Sequence, residues 1–220
     1  GLLDEVDQDD AVAHHHAGGR EPDPGHAAGV RGRHDGRHHL PGLHALLWIG
    51  FGSLAGVWPF HTWSPDGHAS APTAVSMLHA GVLMKLGAFG IIRLGIQMMP
   101  VGAEFWMPTL MVLGVIGAVY GATAALTQRD FKLISGYSSV SHMGYVLMGL
   151  ATMNSIGVTG AVLQMFSHGV MTALVFLMIG ALYDQAHTRD LKDFGGIAKV
   201  MPMWVVFYTI AGLATVGLPG

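Results

Sequence analysis

Apolar residues run nearly unbroken through six stretches of this chain, at about 43–60, 72–97, 108–127, 130–152, 157–182 and 203–217. A bilayer crossing takes ~20 residues at a rise of ~1.5 Å each. Backbone polar groups in lipid have to be satisfied inside the segment itself, so these stretches are predicted to be helices. The alternation that a closed barrel needs is missing. The fold expected is all-α, a polytopic transmembrane helix bundle. Gly114, Gly117 and Gly121, then Gly144 and Gly149, supply small-residue faces for close helix packing and need no chemical role. Gly50, Gly52 and Gly56 echo a dinucleotide-binding turn in spacing only, because no strand precedes them and the segment is itself apolar.

The first residues break this pattern. Residues 1–42 mix Gly, His, Arg, Asp, Ala and Pro with no apolar periodicity, a composition that cannot bury enough surface to offset its ordering entropy. His14, His15, His16, His26, His34, His38 and His39 make a histidine-rich metal-binding tail one reading of it. The reading preferred here is that residues 1–44 are a disordered or non-native hydrophilic segment, of the kind an out-of-frame translation of a GC-rich gene gives. Residues 45–220 are then the membrane domain. The chain starts without Met and shows no signal-peptide pattern, so it is expected to be a piece of a longer protein.

Composition agrees with a membrane protein. Of 220 residues 51% are apolar and only 11% charged, well under the ~25% usual for soluble domains, and mean hydropathy is +0.45. Cysteine is absent, so the chain cannot ligate an ordinary iron–sulfur cluster through thiolates or form a disulfide. Loop charges set an orientation. Arg129, Lys132, Arg189, Lys192 and Lys199 fall with the loops around 61–71, 128–131 and 184–201 on one side, against Arg93 on the other. The excess of positive charge places that side in the cytoplasm.

Against this background three ionisable residues stand out, each near the middle of an apolar stretch: Lys85 in 72–97, His142 in 130–152 and His168 in 157–182. Midpoints of successive crossings share one depth, so the three groups are predicted to form a row along the membrane midplane. Ionisable groups at that depth are costly, and they typically face a bundle interior or a wet path where they serve ion or proton transfer. Lys85 lies about twelve residues from either end of its stretch, ~18 Å, beyond the reach of a snorkelling side chain. A lysine held away from water exchanges its proton far more readily than one in solvent, and histidine titrates near neutrality. The bland alternative for His142 and His168 is a core histidine bonded to a neighbouring carbonyl or to Ser141. His79, Lys132 and His187 are secondary candidates for the path or for an interface; Lys132, at a helix start, reads first as a loop anchor. Asp130, Arg189 and Asp190 read as loop charges, solvated or at a partner interface. A b-type haem held by two membrane histidines is a further alternative, but it leaves Lys85 unexplained.

The local words are specific. Pro59-Phe60-His61-Thr62-Trp63-Ser64-Pro65-Asp66-Gly67-His68, Ala71-Pro72-Thr73-Ala74 and Gly81-Val82-Leu83-Met84-Lys85-Leu86-Gly87 resemble the proton-conducting antiporter-like subunits of NADH:quinone oxidoreductase, respiratory complex I. Asp130-Phe131-Lys132-Leu133-Ile134, Tyr137-Ser138-Ser139-Val140-Ser141-His142-Met143-Gly144 and Gln164-Met165-Phe166-Ser167-His168-Gly169 continue the match in order. Leu182-Tyr183-Asp184, His187-Thr188-Arg189-Asp190, Gly195-Gly196 and Gly217-Leu218-Pro219-Gly220 point to the subunit M type. The resemblance covers about 46–220.

It implies a proton-translocation domain, truncated at its C-terminus, spanning roughly the seventh to the start of the twelfth of fourteen helices. Lys85, His142 and His168 match the central-axis residues of the eighth, tenth and eleventh. The resemblance further implies an NADH-quinone oxidoreductase subunit that drives proton pumping from redox chemistry done elsewhere. No catalytic, cofactor-binding or metal-binding residue is then expected in this chain. NADH, FMN, Fe–S clusters and quinone belong to partner subunits, and the partners are the other membrane subunits of complex I, the lipid bilayer and protons, not nucleic acid. The location implied is the inner (plasma) membrane of a bacterium, multi-pass. Two departures bear on this. Leu54 stands where subunit M usually carries a second lysine, and the acidic residues that flank the path in the family fall outside the matching stretch. Leu54 keeps an alternative open: a subunit of a membrane-bound hydrogenase or of an Mrp-type sodium/proton antiporter complex.

Overall fold

The computed structural model describes residues 40–218. The histidine-rich stretch, and all but the last five residues of the segment expected to be non-native, lie outside the described residues. The order of elements is α1 (Leu40–Ala55), α2 (Trp63–Ser70), α3 (Thr73–Gln97), α4 (Pro100–Thr127), α5 (Phe131–Ala151), α6 (Ser155–Ala186), a 3-10 turn at Leu191–Asp193, α7 (Ile197–Val200) and α8 (Pro202–Thr215). Each of the six apolar stretches is helical, as its pattern predicts.

The boundaries differ in instructive ways. The 43–60 stretch stops as a helix at Ala55, where Gly56 takes a left-handed φ of 66° that glycine adopts without a Cβ penalty. At 16 and 14 residues, α1 and α8 are ~24 and ~21 Å long, short of the ~30 Å of a hydrocarbon core. Helix α4 starts at Pro100, not near 108: proline is at home in a first turn, and Pro108 inside the helix interrupts the apolar run without ending it. The loop expected at 61–71 is a further correction. It folds as α2, and His61, Ser64, Pro65 and His68 are buried. Trp63 Nε1 donates to Ser53 O at 2.9 Å, tying α2 to α1.

Among the described residues, α3, α4 and α6 are both long and apolar enough to cross a membrane. Helix α5 is long enough at 21 residues but carries Lys132, four serines and His142. Its place explains this: α4 and α6 flank it and α2 packs against it, so its polar face is shielded from lipid. The outer faces are apolar instead. Leu78, Val82, Leu86 and Phe89 of α3 are 48–65% exposed, a stripe that fits a non-aqueous surround.

Helices α4 and α5 meet through the glycines picked out by spacing. A Cβ added to Gly144 would stand 2.6 Å from Ala118 N and 2.7 Å from Gly114 O, and one on Gly121 2.5 Å from Ser141 N. Ser141 Oγ donates across the same contact to Ala118 O at 2.8 Å. Gly149 packs instead on Gly157 and Ala161 of α6, and Gly117 on Trp58. Gly144→Val therefore forces two backbones apart, at a cost of about 1–3 kcal/mol. Thermal unfolding in detergent should show a clearly lowered midpoint; an unchanged one would mean that the two helices do not touch here.

Candidate functional site

Two apolar clusters meet on α3: Met84 belongs to one and Ala80 to the other. Lys85 lies at that junction, the thirteenth of the 25 residues of Thr73–Gln97 and only 8% exposed. Its ammonium donates to Ala80 O, a carbonyl inside the π-helical turn His79–Leu83. Such turns offset the i→i−4 ladder, and they recur at functional sites. Lys85 Nζ also lies 2.6 Å from His168 Nδ1 on α6. Close approach of the backbones makes this possible: a Cβ on Gly169 would meet Gly81 O at 2.8 Å.

His168 is buried, and its Nε2 has no hydrogen-bond partner among the described residues. Its ring lies 4.9 Å, centroid to centroid, from that of His142 on α5. His142 Nδ1 lies 2.9 Å from Gln164 Nε2. Ser141 bonds to Ala118 O, so it is not what holds His142. The three candidate residues are thus brought together in one contact row, Lys85–His168–His142, drawn from α3, α6 and α5. His142 is the twelfth of 21 residues in α5 and His168 the fourteenth of 32 in α6, which keeps both near helix middles. Histidine rings this close leave no space for a porphyrin plane between them, which removes the haem reading for this pair.

A cavity of about 1570 Å³ opens beside the row, between α5, α6 and the end of α8. His142, His168, Gln164, Tyr145, Ser138 and Ser141 line it, and among the described residues no Asp, Glu, Lys or Arg does. His168 therefore stands between Lys85 and the cavity. Among the described residues no carboxylate pairs with Lys85, so what partners the amine is a carbonyl and an imidazole.

The secondary candidates sort differently. His79 faces α2, not the row: its ring stacks on Trp63 at 4.9 Å and on His68 at 4.2 Å, and His68 stacks in turn on Phe176 of α6 at 4.8 Å. Among the described residues neither nitrogen of His68 finds a hydrogen-bond partner, nor does Nε2 of His79. Sequence reasoning missed His68, because it sits in a stretch read as a loop; its position in the Pro59–His68 word was the available signal. It missed Gln164 too, although Gln164 lies four residues before His168, on the same helical face.

Lys132 is buried, and its Nζ donates to Ala71 O at 2.6 Å. It does anchor a loop, but from inside the fold. Asp130 and Arg189, read as loop charges that are solvated or at a partner interface, pair with each other at 3.2 Å, and Arg189 Nη1 donates to Ala69 O at 2.8 Å. A short antiparallel bridge, Asp130 with Asp190, joins the same loops. The three connections expected on one side of the membrane are thus bonded to one another. His187 is exposed and ends α6 with a left-handed φ of 56°. It lies 19 residues beyond His168, ~28 Å along the helix, and does not join the row.

The chain is similar to known proteins in sequence and in fold. A family model described as NADH:quinone oxidoreductase/Mrp antiporter, TM, matches residues 35–220. NAD(P)H-quinone oxidoreductase chain 4 2 of Microcystis aeruginosa is 44% identical over 178 residues, 81% of this chain and 32% of that protein. NADH-quinone oxidoreductase subunit M of Rhodobacter capsulatus is 43% identical over 183 residues, 81% of this chain and 36% of that one. Among solved structures, respiratory complex I from Thermus thermophilus with bound NADH contains a similar chain, at 30% identity and a TM-score of 0.76, covering 80% of this chain and 38% of that one. The chain spans about a third of the length of the curated relatives it matches.

Proposed function

Because the chain belongs to the NADH:quinone oxidoreductase/Mrp antiporter transmembrane family, we propose that its Lys85–His168–His142 row carries protons within the membrane part of an NADH-quinone oxidoreductase, as a segment of an M-type subunit. One observation carries this reading: a buried amine within hydrogen-bond distance of an imidazole whose far nitrogen is unpartnered among the described residues, with a second imidazole in ring contact.

The chemistry follows from the atoms. A charged Lys85 donates to the Nδ1 lone pair of His168, so that ring then holds its proton on Nε2. Moving the proton breaks N–H on Lys85, forms N–H on His168 Nδ1, and leaves an imidazolium beside a neutral amine. The imidazolium releases a different proton, from Nε2, on the side away from Lys85. His142 takes it directly or through one bridging water, which costs little as a hydrogen-bonded intermediary. Imidazole suits the task because it accepts at one nitrogen and donates at the other. These steps leave His168 with its proton on the nitrogen facing Lys85; the ring has to turn over, or exchange that proton through water, so that a lone pair faces Lys85 again before reprotonation of Lys85 completes the cycle.

In this reading NADH oxidation and quinone reduction, with FMN and Fe–S clusters, take place in other subunits, and the chain sits in a bacterial plasma membrane among the other membrane subunits of the complex. Relatives at 43–44% identity are named as quinone oxidoreductase subunits, which favours this over the antiporter that the family also includes. The test is to purify the full-length protein with its native partners and assay them in vesicles. Co-purifying flavin and Fe–S subunits with NADH-driven proton uptake are expected. Sodium–proton exchange without redox subunits would sink the proposal in favour of an antiporter, and nickel-site partners would shift it to a hydrogenase.

A further inference from the structure

Gln164 projects from α6 one turn before His168, and its side-chain amide lies 2.9 Å from His142 Nδ1. Both residues are half-buried and both line the cavity. We propose that Gln164 is the positioning residue of His142, holding the ring in place through every protonation state by turning its amide over. This rests on the reading of His142 as a carrier of protons.

The argument is one of donors and acceptors. A ring that is to receive a proton at Nε2 must carry its existing proton on Nδ1, and that Nδ1–H needs an acceptor. The imidazolium formed on receipt needs the same acceptor. Once Nδ1 has lost its proton to solvent in the cavity that His142 lines, the nitrogen becomes a lone pair and needs a donor instead. A main-chain carbonyl or a carboxylate serves only the first two states, and a backbone N–H serves only the third. A primary amide serves all three, because rotation by half a turn exchanges Oε1 for the Nε2 hydrogens at one place. The carbonyl and amine of an amide are nearly interchangeable in outline, so the ring does not have to move when the amide turns. A ring that stays still keeps its contact with His168 at 4.9 Å.

The surroundings are consistent with this being the controlling contact. The titratable groups facing His142 are His168 on α6, with Lys85 behind it on α3, and Tyr145 on α5 at 6.1 Å between ring centroids. Among the described residues no Asp, Glu, Lys or Arg lines the cavity beside it. Among the described residues, Gln164 is the hydrogen-bonding side chain at Nδ1.

The substitution Gln164→Glu keeps the shape while offering acceptors only, and Gln164→Leu removes both functions. Histidine ring 15N signals of the full-length subunit in bilayers, assigned with His142→Gln, report the tautomer directly. In the wild type, raising pH is expected to convert His142 from imidazolium to a mixture of both neutral tautomers. In Q164E the imidazolium should persist through that same range with loss of the Nε2–H tautomer, because a carboxylate stabilises an N–H facing it. In Q164L the neutral ring should lose its single fixed environment and its signals should broaden. Wild-type tautomer populations in Q164E, or an equally sharp and unmoved His142 signal in Q164L, would overturn the proposal. Proton translocation per electron, measured in the same variants after assembly with the partner subunits, separates the two claims. Altered ring signals with normal translocation would leave Gln164 as the positioning residue and retire His142 as a carrier.

Discussion

Lys85→Ala in the complete subunit is expected to cut proton translocation through this subunit roughly a hundredfold or more, the scale on which loss of a proton-transferring side chain acts, while the complex still assembles. Lys85 is the only amine in the row, it is buried at the centre of α3, and what it touches is Ala80 O and His168 Nδ1. Its removal leaves the relay without its first donor. Lys85→Met is the sharper variant, because it keeps most of the volume and replaces a buried charge by an apolar chain, a change that proteins often tolerate without loss of stability. Lys85→Arg is expected to rescue poorly: a guanidinium stays charged and cannot cycle a proton. The readout is the proton-to-electron ratio in vesicles, alongside the amount of assembled complex. A normal ratio in an assembled Lys85→Met complex would remove Lys85 from the path; loss of the assembled complex with a normal ratio in what remains would make it a structural residue.

The second large effect is expected for the pair His142 and His168. Each single replacement by Ala should give a partial loss of translocation, since one water can bridge a gap of one side chain in a wet cavity. Of the two, His168→Ala should be the more damaging, because His168 is the buried ring that touches Lys85 and separates it from the cavity. The double variant should lose more than the two single effects combined, because residues in contact on one path do not act independently. Were the rings merely core residues, each substitution would lower the amount of assembled complex and leave turnover per complex intact. Full activity per complex in the double variant would retire the relay for this pair.

Much of the fold was legible in the chain because lipid imposes so strict a rule. Long apolar runs have one stable solution, so helix existence follows from composition, and the glycine spacing of 114, 121 and 144 already marked where two helices would touch. The central placement of Lys85, His142 and His168 was readable from their distances to the segment ends. What the sequence could not carry was anything that depends on which faces meet. That Lys85 bonds His168 Nδ1, that His142 turns to Gln164 and away from Ser141, and that His79 belongs with Trp63, His68 and Phe176 are all outcomes of helix rotation and of a π-turn. Hydropathy does not encode these. The stretch 61–71 shows the same limit: its polar residues read as a loop, yet it folds as α2, and Lys132 and Arg189 hold its end through Ala71 O and Ala69 O. Local pattern decides what is a helix, whereas the pairing of donors and acceptors across helices is decided only when distant segments close the contact.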